Sequence, residues 1–251
     1  MKKLFYIFWV ILFLFFSCKH KKNYVNEDTG EIEQVEEAEI IFDETQGEAA
    51  ITKNFYFLFD GSGSMEDDCA SEKKIDGAKE AIFKFLEKVP DDVNIGLLIF
   101  GVDTEDGIQE YVPLGSDNRN EFKQAVEGMG PTGDTPLGNA TYYGVDALVE
   151  QYKQQLGYGE YRLIVVTDGI ATDPDHFEEA LLYSRKYPFI AIYGIGLCLD
   201  SEHILKDFSI SYTDAYDYEE LGKALEETIA ELPEFDPTEF VPDEDLTNNP
   251  E

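Results

Sequence analysis

The stretch Asn54-Phe55-Tyr56-Phe57-Leu58-Phe59-Asp60-Gly61-Ser62-Gly63-Ser64-Met65 decides the fold. It opens as a short, almost uninterrupted apolar run with large side chains at both odd and even positions. Successive side chains of a strand point to opposite faces, so both faces here would be buried, as in the centre of a parallel sheet. The run then breaks into an aspartate, two glycines and two serines. That break puts Asp60, Ser62 and Ser64 where the chain leaves the C-terminal edge of the strand, the edge at which open α/β sheets bind ligands. A carboxylate and two hydroxyls, with no sulfur or imidazole, suit a hard divalent cation. Gly61 and Gly63 let the backbone bend so that these side chains converge. An Asp-Gly-Ser-Gly turn can also form with no ligand at all, because these residues favour turns.

Two later segments bear on that choice. A threonine stands in Gly133-Asp134-Thr135-Pro136-Leu137-Gly138, and an aspartate in Leu163-Ile164-Val165-Val166-Thr167-Asp168-Gly169, again directly after an apolar, strand-like run. Together, Asp60-x-Ser62-x-Ser64, Thr135 and Asp168 resemble the metal-ion-dependent adhesion site of the von Willebrand factor A (VWA) family, in order and approximate spacing. The resemblance covers roughly Thr52 to Leu232. It implies that the hydroxyls of Ser62, Ser64 and Thr135 contact a divalent cation, and that Asp60 and Asp168 act on it directly or through water. Mg²⁺ is the expected ion, with Mn²⁺ or Ca²⁺ as alternatives. The resemblance further implies a protein partner whose acidic side chain takes the open position on the ion. The alternative from a different class is a hydrolase using the same cation, with Asp103, Asp134 or Asp173 as the nearest spare carboxylates on that edge.

The flanks of the strand fill in an α/β domain. Helical spacing of Ile75, Ala78, Ile82, Phe85 and Leu86 predicts a helix over Lys73–Val89, stopped by Pro90. Asn94–Phe100 reads as a second buried strand and Gln109–Val112 as a short edge strand. A shorter helix follows over Asn118–Met129, then a longer one from Pro136 to about Gln155, capped by Thr135 or Asp134. Arg162–Thr167 and Phe189–Ile195 read as core strands, Tyr212–Ala215 as a weaker one, and Asp173-Pro174 opens a helix between the first two. Asp217-x-x-Glu220 is a capping box before Leu221, Leu225, Ile229 and Leu232. Strands alternating with helices predict a doubly wound, mostly parallel central sheet with helices on both faces.

Outside this domain the chain changes character. Lys2 and Lys3 precede a short apolar core, Leu4 to Phe16, and Ser17-Cys18 ends it. A basic start and a short apolar core form a secretory signal, shorter than the ~20 residues of a spanning helix. A small residue before a Cys resembles a bacterial lipoprotein processing site, which makes Cys18 the lipidated first residue; the alternative is an uncleaved N-terminal anchor. Either places the protein at a bacterial cell envelope, tethered to a membrane. The expected organisation is a signal and processing region at 1–18, an acidic flexible spacer at 19–50, the domain at 51–232 and an acidic, Pro-containing tail at 233–251.

The 251 residues carry 53 acidic and 19 basic side chains, a formal charge of -34. Such a surface cannot neutralise phosphates, which argues against nucleic acid. Several enzyme motifs fail. Met65 and Glu66 stand where a dinucleotide fingerprint needs its third glycine, no glycine stands two residues before Ser62 or Ser64 as a nucleophile elbow requires, and Ser62 occupies the place of an aspartyl phosphatase's second aspartate. His20, His176 and His203 are scattered, and the latter two are expected on surfaces or helix faces. Cys69 and Cys198 both fall on the site edge of the sheet and either pair or remain two small unpaired residues.

Overall fold

The computed structural model describes residues 21–25, 32–42, 47–199 and 202–230. The apolar N-terminal run, Cys18 and the tail beyond 230 lie outside the described residues. Six strands form the central sheet: β1 (Lys53–Asp60), β2 (Asn94–Phe100), β3 (Ile108–Gly115), β4 (Glu160–Thr167), β5 (Ile190–Leu197) and β6 (Ser211–Ala215). Their spatial order is β6-β5-β4-β1-β2-β3. All neighbours are parallel except β2 and β3. The antiparallel pair follows from its short connection, residues 101–107, since a parallel crossover takes a dozen residues or more. β3 is longer than the sequence reading and contains Pro113, which an edge strand tolerates.

The alternation of β1 sorts the core into two layers. Phe55, Phe57 and Phe59 face α1 (Lys74–Leu86), α2 (Arg119–Glu127) and, through the neighbouring strands, the last helix of the domain; Phe57 meets Phe85 and Phe122 edge-on, with ring centroids 5.4 Å apart in each case. Tyr56 and Leu58 face α3 (Leu137–Gln154) and α4 (Pro174–Ser184). A short α5 (Leu205–Phe208) joins this second layer, and the last helix, α6 (Tyr218–Ile229), completes the first. Both faces of β1 are fully buried, as its unbroken apolar run requires.

Several local expectations are corrected. Thr135 and Asp134 do not cap α3: the helix starts at Leu137 behind Pro136, without a side-chain cap bond. At the start of α3 the Leu137 N–H goes to Thr135 C=O at 2.9 Å, and the Asp173 carboxylate takes the Gly138 N–H at 3.0 Å. The capping box is shifted: Asp217 accepts from Glu220 N–H at 2.8 Å, but Glu220 reaches back to the N–H of Tyr216. His203 is buried among Phe177 and Tyr212 rather than exposed, whereas His176 does lie half-exposed on the face of α4. The stretch read as a spacer contains an antiparallel pair, Lys21–Val25 with Ile32–Glu36. It also touches the domain. Ala38 N–H donates to Lys186 C=O at 2.9 Å, and Phe42 packs on Tyr152 with centroids 5.5 Å apart. Cys69 and Cys198 are joined, with Cα atoms 6.1 Å apart, inside the usual disulfide range. No helix among the described residues is long and apolar enough to cross a membrane.

Candidate metal centre

The strand order reverses between β1 and β4, because β1 is followed in space by β2 on one side and by β4 on the other. Loops leaving the two strands therefore diverge and open a crevice at their C-terminal ends. The register sets Phe59 beside Val166, so Asp60 and Thr167 end their strands at the same level. A third loop, 130–136, is laced onto the first: Thr132 N–H donates to Gly61 C=O at 2.7 Å and Gly63 N–H to Gly133 C=O at 3.1 Å. The same loop is tied to the segment after β4 through Thr172 N–H and Thr135 C=O, 3.0 Å apart.

These ties gather the residues singled out from the sequence. Asp60, fully buried, organises the base of the crevice. Its Oδ1 accepts from Ser62 N–H at 2.8 Å; its Oδ2 accepts from Thr167 Oγ1 at 2.7 Å and from Asp168 N–H at 3.2 Å. Ser62 and Ser64 hydroxyls lie 3.0 Å apart, and Ser64 Oγ donates to Asp168 Oδ1 at 2.7 Å. A methyl group built on Gly169 would lie 3.6 Å from Thr135 Oγ1 and 3.8 Å from Ser64 Oγ, so both hydroxyls border the same point. Gly169 borders that point, and a methyl group there would be in ordinary van der Waals contact with the two hydroxyls. Asp60, Ser62, Ser64, Thr135 and Asp168 are thus one cluster drawn from three loops. Asp103 and Asp134 are exposed, and Asp173 is engaged by Gly138.

Three residues that the sequence reading did not assign to the site also belong to it. Thr167 bonds Asp60 from inside the quoted β4 segment. Lys74, at the start of α1, places Nζ 2.9 Å from Asp168 Oδ2. His203 backs the loop after Asp168: Nδ1 accepts from Leu205 N–H at 3.2 Å, and burial lowers its pKa against the opposing interaction with the Gly169 backbone.

The electrostatics favour a cation. Burial first, then the neighbouring Asp168 charge, raises the Asp60 carboxyl to about 6, against the opposing hydrogen bonds from Ser62 and Thr167. The donors are carboxylate and hydroxyl oxygens only, a set that fits a hard divalent ion. Among the described residues no group of three or more His, Cys, Asp and Glu side chains is placed to hold a metal ion, so the two carboxylates here act together with hydroxyls. Because an ion would require Asp60 to be ionised, its affinity is expected to rise with pH through about 6 and level off above it. Binding at pH 5 is expected to be roughly tenfold weaker than at pH 7.5, and calorimetric titration with Mg²⁺ at the two pH values checks it.

A sheet of this topology, with this cluster at its switch point, defines the class. The chain belongs to the von Willebrand factor type A domain family, whose model matches residues 54–231. It is similar to the uncharacterized protein YwmD of Bacillus subtilis, 27% identical over an aligned length of 199 residues, with 69% of this chain and 83% of YwmD covered. In structure it is similar to the pilus adhesin SpaC of Lactobacillus rhamnosus GG (TM-score 0.60, 15% identity, 72% of this chain and 31% of SpaC). It is also similar to the manganese-loaded TRAP protein of Plasmodium vivax (TM-score 0.52, 20% identity, 72% of this chain and 74% of TRAP). At these identities the two structural likenesses concern the fold.

Proposed function

We propose that this protein is an envelope-tethered binding module that takes a protein partner through a divalent cation, Mg²⁺ first, held by Ser62, Ser64 and Thr135 with Asp60 and Asp168. The observation that carries the reading is the convergence of two buried carboxylates and three hydroxyls, from three loops, on one point of the sheet's switch edge. The manganese in the TRAP structure is consistent with it. Asp60 orients Ser62 and the Asp168 backbone, and Ser64 links the first loop to Asp168. A bound ion supplies an open position that an acidic side chain of the partner can occupy. The ion also supplies positive charge on a chain of formal charge -34, where an acidic partner would otherwise be repelled. Binding is favoured over hydrolysis because Asp103 and Asp134 are exposed and Asp173 is already engaged by Gly138, so none of these three described carboxylates is held as a general base. Tethering rests on the Ser17-Cys18 junction after a short apolar core, with Cys18 lipidated.

The test is crosslinking and pull-down from envelope fractions with the mature protein, in Mg²⁺ and in chelator. A partner retained in Mg²⁺ and released by chelator is expected. A partner held equally in both would make any ion structural and move the binding face elsewhere.

A further inference from the structure

The cluster contains a positive charge of its own, in a place where one is costly. Lys74 is the first residue of α1, and its Nζ sits 2.9 Å from Asp168 Oδ2, with its side chain 10% exposed and that of Asp168 at 0%. An ammonium at a helix N-terminus faces the positive end of the dipole. One this buried has also lost most of its hydration. Its neighbour Lys73, the N-cap residue of the same helix, avoids the cost of burial by turning to the exposed carboxylates of Asp68 and Glu66. The structure therefore spends one of two adjacent lysines on the buried site.

Its position is fixed by the surrounding chain. Lys74 N–H donates to Asp67 C=O at 3.0 Å, the ribbon of Asp68–Cys69 with Glu72–Lys73 precedes it, and Cys69 is bonded to Cys198 beyond β5. The Asp168 carboxylate is divided as a result. Oδ1 takes the Ser64 hydroxyl and faces the cluster, while Oδ2 takes the ammonium.

We propose that Lys74 is a built-in counter-ion that sets the cation affinity of the site: its ammonium neutralises one of the two buried carboxylates and lowers the affinity for an incoming divalent ion. The inference rests on the reading of the cluster as a cation site. Without the ammonium, two carboxylates would neutralise a divalent ion completely. With it, the loaded site keeps a net positive charge, which is the charge an acidic partner would meet. The repulsion between an ammonium and a divalent ion several ångströms apart, even in a well-screened site, is worth at least a factor of about ten in binding.

The experiment is calorimetric titration with Mg²⁺ alone on the metal-stripped wild-type protein, Lys74→Gln and Lys74→Arg, with circular dichroism to confirm the fold. Gln removes the charge and keeps a hydrogen-bond donor; Arg keeps the charge and the donor. Lys74→Gln is expected to bind Mg²⁺ at least about tenfold more tightly than wild type, and Lys74→Arg within about threefold of it. If Lys74→Gln binds equally or more weakly while wild type binds the ion, Lys74 is only a structural prop and the counter-ion proposal is overturned, with the cation reading intact. If Lys74→Gln does not fold, a Lys74→Arg variant that binds more tightly than wild type overturns the proposal, and one that matches wild type supports it. If all three folded proteins take up no Mg²⁺, the cation reading itself fails and the proposal falls with it.

Discussion

Asp60→Ala is expected to reduce Mg²⁺ affinity by about a hundredfold or more while the domain stays folded. The residue contributes twice. It supplies one of the two carboxylates, and it receives the hydrogen bonds that hold Ser62, Thr167 and the Asp168 backbone in register. Leaving the Ser62 and Asp168 N–H groups without a partner costs about 1–3 kcal/mol each, while the Thr167 hydroxyl keeps the Gly169 C=O at 3.1 Å. Removal of a fully buried carboxyl, already strained toward protonation by its surroundings, offsets part of that cost. Thr135→Ala removes one neutral hydroxyl and leaves both carboxylates and the Thr135 backbone ties in place. Its loss is expected to be about tenfold. Titration calorimetry on both variants, with melting curves in chelator, separates lost ion binding from lost fold. Equal losses for the two would mean that charge is not what holds the ion.

Gly101→Ala is expected to damage stability and site together, although Gly101 carries no side chain into the crevice. Its φ is +78°, a region that non-glycine residues enter at a cost of about 1–3 kcal/mol. A Cβ there would also stand 2.4 Å from Ser62 N, 2.6 Å from Ser62 Cα and 2.8 Å from Gly61 C. All three are backbone atoms and cannot swing aside, so the loop bearing Ser62 and Ser64 must be displaced. A destabilisation of at least about 2 kcal/mol is expected, with Mg²⁺ affinity down by more than about tenfold in whatever folds. Gly128→Ala is the control. Gly128 has φ -77° at the end of α2, and its Cβ would meet nothing closer than 3.4 Å. Denaturant melts and Mg²⁺ titration on the pair check this; a Gly101→Ala protein that matches Gly128→Ala in both would show that the loop is not held where described.

The parts of this molecule that could be read from sequence are those set by local pattern. Phe55 to Phe59 alternate between two buried layers, as large apolar side chains at both parities of a central strand require. Asp60, Ser62, Ser64 and Asp168 follow such runs directly, so the strand ends located them, and Thr135 was found only through its likeness to a family pattern. Lys74 was invisible for the opposite reason. It stands beside Lys73, and nothing in a Lys-Lys pair says which ammonium turns inward; that depends on where α1 starts relative to the ribbon before it. His203 reads as a lone polar residue, and its burial follows from the packing of Phe177 and Tyr212 around it. Pairing of Cys69 with Cys198 is not legible in the sequence, because a separation of 129 residues carries no information about Cα distance. The Asp217–Glu220 box forms on the Asp217 side only, because the Glu220 side chain takes the Tyr216 N–H, one residue before the cap.

The most direct test of the central claim is titration of Mg²⁺ into the metal-stripped wild-type protein at pH 7.5 and low salt. One saturable site, filled below millimolar Mg²⁺ and accompanied by a rise in melting temperature that follows the ion concentration by mass action, is the expected result. No uptake and no change in melting temperature at several millimolar Mg²⁺, Mn²⁺ or Ca²⁺ would contradict it, and the cluster around Asp60 and Asp168 would then be a hydrogen-bonded turn that joins three loops.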